Sequence, residues 1–181
     1  ALKVAEPGNM EAQERLQREA QLLARLSHPG IRGVFGIETA APQRSRGADA
    51  GPYVFAVLEY AEQSLKSIME ERKRSQRPFS VGETTAILRP IAQVLDYLAH
   101  RGLSHMDVKP ENILLTATGR ILLSDFGVTQ PFGRPNSLGT PAYVAPEVVD
   151  GQAVSAATDI YSLGVVAYQM LAGELPFRGE T

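Results

Sequence analysis

His105-Met106-Asp107-Val108-Lys109-Pro110-Glu111-Asn112 is the stretch on which the reading of this chain turns. It places an imidazole, two carboxylates, an ammonium and a carboxamide side by side, and Pro110 breaks any regular helix there. Charges at that density are expensive to bury unpaired, so they point to a site rather than to a core. Two β-like runs follow, Ile113 to Leu115 and Arg120 to Leu123, and then Asp125-Phe126-Gly127. From Phe126 to about Ser155 the chain is rich in Gly and Pro and reads as one long irregular segment, which in a compact domain is commonly functional. Ala145-Pro146-Glu147 lies within it.

In this order the three motifs resemble the signature of the protein kinase family: a catalytic loop of the form H-R-D-x-K-x-x-N, then D-F-G, then A-P-E. The resemblance runs nearly the whole length. Ala1-Leu2-Lys3 is similar to the end of the strand motif V-A-I-K, which makes Lys3 the phosphate-binding lysine and Glu19 its partner on the next helix. It implies an α+β, bilobal protein-kinase-like fold, with a partial small β-rich lobe over residues 1–60 and a mainly helical partial lobe over 61–181. The family's glycine-rich loop would precede Lys3 and further helices would follow Thr181, so the resemblance implies a domain cut short at both ends.

Phosphoryl transfer asks a protein mainly for positioning and for positive charge near the transferring oxygens. Asp107 would accept or orient the proton of the substrate hydroxyl, and Lys109 would neutralise the moving phosphoryl group. Asn112 and Asp125 offer oxygens to magnesium, a hard cation, and ATP is the implied donor. Leu58 falls at the gatekeeper position, and the backbone of the hinge Glu59 to Ala61 would hold adenine. Each residue alone has a plainer reading, with Asp107 capping a turn, Asn112 making an Asx-turn and Gly127 supplying a turn. Their joint order, with Lys3 and Glu19 upstream, favours the functional one.

His105 titrates near neutrality and so invites a general-base reading, but in the family it is a packing residue. The resemblance stacks it with Phe126, Leu23 and Val34 in a column between the lobes, and has Asp159 anchor the backbone of the catalytic loop. Lys109-Pro110-Glu111 resembles the serine/threonine branch, with Thr140 contacting Asp107 and Lys109, so the partner is a protein substrate with a Ser or Thr acceptor. Met106 departs from the pattern, which has arginine there. A guanidinium would pair with a phosphorylated segment at Thr129 or Ser137, whereas a thioether cannot. Two rival functions remain in view: a nucleotide-binding pseudokinase without turnover, and a small-molecule phosphotransferase sharing the loop Asp and Asn.

The rest of the pattern fits a globular domain. Asn9 is a helix N-cap, and Leu16, Ala20, Leu23 and Leu26 share a helical face running to about Leu26. Glu19 falls inside that apolar arc, either tolerated at its edge or placed to meet a cation. Runs Ile31 to Ile37 and Tyr53 to Tyr60 read as strands, with a surface loop over Thr39 to Pro52. Ser80 and Glu83 form a capping box for a helix to about His100, kinked at Pro90, with Phe79 as a hydrophobic staple. A last helix covers about Thr158 to Leu171. Glu70-Glu71-Arg72-Lys73-Arg74 reads as a solvated helix end against a docking patch.

Of 181 residues, 44% are hydrophobic and 21% charged, enough to bury a core. The net charge of −2 gives no field favouring nucleic acid or an anionic membrane. There is no cysteine, which fits a reducing, cytoplasmic compartment, and no apolar run approaches the roughly 20 residues of a membrane span.

Overall fold

The computed structural model describes residues 1–40, 52–134 and 140–177. Three antiparallel strands, β1 (Leu2–Ala5), β2 (Val34–Ala40) and β3 (Tyr53–Leu58), form a sheet in the order β1-β3-β2. Alternation along β3 buries Val54, Ala56 and Leu58 on one face. Ala5 and Leu16 complete this small core, Leu16 coming from helix α1 (Met10–Leu23). The Asn9 side chain caps α1 by accepting the Ala12 N–H at 3.0 Å. Leu16, Glu19, Ala20 and Leu23 are buried at helical spacing, so Glu19 does lie in the apolar arc. Lys3 pairs with Ala56 in the sheet, which fixes where its side chain starts.

Several expected boundaries move. Helix α1 stops at Leu23, and Leu26 packs on the core from a turn. The run from Ile31 becomes a strand only at Val34, because Ile31 instead makes an isolated parallel bridge with Leu123. A register shift between Val34 and Gly36 leaves Phe35 exposed. Strand β2 continues to Ala40, two residues into the expected loop, whose residues 41–51 lie outside those described, as does Ser137.

The remaining elements are β4 (Gln63–Ser64), α2 (Leu65–Arg74), α3 (Val81–Ala99), β5 (Leu103–Ser104), β6 (Ile113–Leu115), β7 (Ile121–Leu123), β8 (Gln130–Pro131), α4 (Pro146–Val149) and α5 (Ala156–Ala172). Helix α3 opens with the expected capping box and runs through Pro90. Phe79 is buried beneath the Arg72 guanidinium, 4.1 Å from its ring centroid, rather than serving only as a staple. The segment expected to be wholly irregular holds β8, a 3₁₀ turn at Pro141–Tyr143 and α4. The two-residue strands escape sequence reading because a period of two cannot show in two residues.

Helices α3 and α5 pack together, and the main core gathers Leu65, Ile91, Val94, Leu98, Ile113, Leu123, Val166 and Met170. Leu23 and Ile31 belong to that core as well, so α1 and the approach to β2 are fastened to the helical part. Two backbone bonds reinforce the seam, Leu123 N–H to Gly30 C=O at 2.7 Å and Arg32 N–H to Leu123 C=O at 3.0 Å. Gly30 is required there, since a Cβ would sit 2.7 Å from Val94 Cγ2.

Candidate active site

Strand β1 delivers Lys3 to the space between α1 and the turn after β7. Its ammonium donates to Glu19 Oε2 at 2.7 Å and to Asp125 Oδ1 at 2.8 Å. The other Glu19 oxygen accepts the Phe126 N–H at 3.2 Å, so one buried carboxylate holds both the lysine and the backbone beside Asp125. Burial alone would lower the Lys3 pKa, but the bonds to Asp125 and Glu19 outweigh it and the net direction is upward. For Asp125, burial is the largest influence and pushes up, but the Lys3 bond together with the charges of Lys3 and Arg15 outweighs it, so its pKa falls. Asp125 has φ +64°, a left-handed conformation that ordinary residues seldom adopt. At Gly127 a Cβ would meet Arg15 Nε at 2.8 Å, so the glycine admits the guanidinium close to Asp125.

Asp107 sits in a second, denser cluster. Its carboxylate accepts from Lys109 Nζ at 2.7 Å, Asn112 Nδ2 at 2.9 Å and Thr140 Oγ1 at 2.9 Å, and Lys109 also donates to Thr140 Oγ1 at 2.7 Å. Asn112 spends its amide on Asp107, with a further bond to the Asp107 carbonyl at 2.8 Å, which orients its own oxygen the other way.

The strain of this loop is held from below. Met106 has φ +72°, and the N–H groups of His105 and Met106 both donate to Asp159 of α5, at 2.7 and 2.9 Å. A buried carboxylate accepting two adjacent amides overdetermines that conformation. The Met106 side chain lies in an apolar cluster with Ala145, Val148 and Val154. His105 is fully buried, stacked edge-on against Phe126 with centroids 4.7 Å apart. Its Nε2 donates to the Ser124 carbonyl at 3.2 Å and its Nδ1 accepts the Asp107 N–H at 3.3 Å, which defines the neutral tautomer. Desolvation lowers its pKa despite Asp159, Asp107 and Asp125 nearby. Phe126 and Leu23 belong to the main core, and Val34 packs against it.

The model of the family described as protein kinase domain matches residues 1–181. This chain belongs to that family. The kinase domain is 34% identical over 175 residues to "Serine/threonine-protein kinase PknB" of Mycobacterium leprae (strain TN), covering 92% of this chain and 26% of the relative. It is 36% identical over 176 residues to "Probable serine/threonine-protein kinase pknA2" of Bifidobacterium longum (strain NCC 2705), covering 92% of this chain and 21% of that one. The chain thus spans about a quarter of the length of the relatives it matches.

Between the two clusters of this kinase domain lies a cleft of about 290 Å³, lined by Lys3, Leu58, Asn112, Leu114, Asp125 and Phe126 among others. Two of its lining residues carry oxygens that suit a hard cation, Asn112 and Asp125. Among the described residues no group of three or more His, Cys, Asp or Glu side chains is placed to hold a metal. Glu59 is already engaged at both backbone groups, its N–H with the Gly33 carbonyl at 2.8 Å and its C=O with Arg32 Nε at 2.9 Å, while its side chain takes Gly33 N–H and Arg120. The Ala61 backbone has no hydrogen bond among the described residues.

Four site residues lack a usable sequence signal. Arg15 and Arg32 look like ordinary surface cations until the fold brings them to Asp125 and Glu59. Leu114 is one of several apolar residues in a short strand, and Tyr143 one of six tyrosines. Burial, with Glu111 adding to it, pushes the Tyr143 hydroxyl to about 12, and it donates to Gln169 Oε1 at 2.8 Å.

Proposed function

We propose that this chain forms the transfer centre of a serine/threonine protein kinase, moving the γ-phosphate of magnesium-ATP to a Ser or Thr hydroxyl of a protein. The observation that carries the reading is the Asp107 carboxylate fixed at once by Lys109, Asn112 and Thr140. In this reading Asp107 orients the acceptor hydroxyl and takes its proton as the bond to phosphorus forms, while the leaving bond to ADP breaks. Lys109 balances charge on the moving group, and Lys3, held by Glu19, receives the donor's phosphates. Asn112 and Asp125 would hold magnesium, which supplies charge neutralisation between the phosphates. Adenine would lie over Leu114 beside Leu58, with the Ala61 backbone as its polar contact and the one lone pair of the Glu59 carbonyl left by Arg32.

The proposed division is a small lobe over 1–60 and a helical lobe over 61–181. Among the described residues no helix is long and apolar enough to cross a membrane. A cytoplasmic site of action, where ATP is available, is part of the same proposal. A transfer assay with labelled γ-phosphate, followed by phosphoamino-acid analysis of mixed protein acceptors, tests it. Phosphoserine and phosphothreonine are the expected products. Label on tyrosine alone, or on small amino-sugars but no protein, would overturn the reading.

A further inference from the structure

A second cavity, of about 490 Å³, opens where α2, α5 and the 3₁₀ turn at Pro110–Asn112 meet. It borders the transfer cluster, because Pro110 follows Lys109, and Tyr143 ends the 3₁₀ turn that starts beside Thr140. Its floor is apolar, built from Met69, Phe79, Pro110 and Met170. Its wall is basic, with Lys66, Arg72, Lys73 and Arg77 set against Glu70 and Glu111.

The pairs already formed sharpen that imbalance. Lys66 bridges Glu111 Oε1 at 2.9 Å, which engages one oxygen of the acid nearest the transfer cluster. Arg72 is spent on Glu83 at 2.6 Å, whose carboxyl it holds down at about 2, and on the ring of Phe79. Lys73 and Arg77 line the cavity with no ionic partner among the described residues. The basic residues of the wall are therefore divided between two that are already paired, Lys66 and Arg72, and two without an ionic partner among the described residues, Lys73 and Arg77.

We propose that this cavity docks an acidic segment of the protein substrate. Apolar side chains of that segment seat on Met69, Phe79 and Met170, and its Asp or Glu side chains meet Lys73 and Arg77. Charge complementarity selects this occupant, since the lining sets four cations against two acids, Glu70 and a Glu111 already bridged through Oε1. The proposal rests on the reading of the chain as a protein kinase and names its substrate class. Glu70, and Glu111 Oε2, which is buried without a hydrogen-bond partner, are the features that would favour a basic donor instead, so the test includes Glu111.

The test uses the full-length protein and three peptides with one Ser acceptor, flanked by Asp/Glu, by Gln or by Arg. At low salt the acidic peptide should show a KM about tenfold below the neutral one, and the gap should close as ionic strength rises. The double variant Lys73→Glu/Arg77→Glu should raise the acidic peptide's KM by about tenfold, leaving kcat and the neutral peptide's KM unchanged. Fluorescence anisotropy of the same peptides should give the same ranking without turnover. A chain that binds the acidic peptide but transfers nothing keeps this proposal and overturns the kinase reading. Equal binding of all three peptides overturns the docking proposal. So does no binding, as when another part of the same protein fills the cavity, or a preference for the Arg peptide that Glu111→Gln abolishes.

Discussion

Two of the places that hold the segment from Asp125 to Val149 do so by opposite means. At its start the fastening is ionic: Lys3 joins Glu19 to Asp125, and Glu19 also grips the Phe126 amide. Further along it is apolar, with Ala145 and Val148 packed on Met106 and Val154. The ionic contacts are made by groups that a nucleotide and its cation would engage, so they can be exchanged for ligand. The apolar contacts offer nothing to a phosphate and are independent of ionic strength. A side chain at position 106 thus decides whether that end of the segment answers to charge.

The largest effect should come from breaking the ionic end. Lys3→Met leaves Glu19 buried without its cation, and transfer should fall by about two orders of magnitude or more. The stability lost should be about 1–3 kcal/mol, below the full penalty for a broken buried pair because Lys3 is 39% exposed. Paired denaturation and rate measurements on the variant check both figures.

At the apolar end, Met106→Arg brings a guanidinium among Ala145, Val148 and Val154, and should destabilise by about 2–4 kcal/mol unless a phosphate arrives to pair with it. Met106→Leu conserves volume and should cost under about 1.5 kcal/mol. Chemical denaturation of the two variants separates charge from shape.

A smaller, pH-dependent effect comes from His105 between the two ends. Its folded pKa is depressed below the ordinary 6.5, so its contribution is fully present above that value and is lost as pH falls below it, when the unfolded chain takes up the proton first. Protonating Nδ1 would also remove the acceptor of the Asp107 amide. Melting temperature should decline from about pH 6.5 downward, and the decline should flatten in His105→Gln. The smallest change should follow phosphatase treatment. With Met106 in place of a cation, loss of phosphate from Thr129 should alter the rate by less than about threefold.

How much of this was legible follows from how local each signal is. Lys109, Asn112, Asp125 and Gly127 stand in motifs whose resemblance to a kinase signature pointed to Lys3 and Glu19 as well, and the fold sets Lys3 on Glu19 and Asp125, and Lys109 and Asn112 on Asp107. Glu19 was visible even without the motif, as a carboxylate on an apolar helical face. The Thr140 contact and the Asp159 anchor were likewise as expected. Arg32 was not, because its role depends on a strand that begins three residues later than its apolar run and on a carbonyl 27 residues away. The burial of Met106 among valines was equally hidden, since its partners come from α4 and the approach to α5. Sequence showed what residue 106 lacks, and only packing shows what replaces it.

The account rests on Asp107 as the group that orients the acceptor hydroxyl, and the measurement that bears on it most directly compares Asp107→Asn with the unaltered protein. Asparagine keeps the size and can still bond Thr140 and Asn112, but it cannot accept a proton. Phosphate transfer to protein Ser/Thr should fall by about three orders of magnitude, while binding of magnesium-ATP, followed by calorimetry, stays within about twofold. Undiminished transfer in that variant would contradict the account.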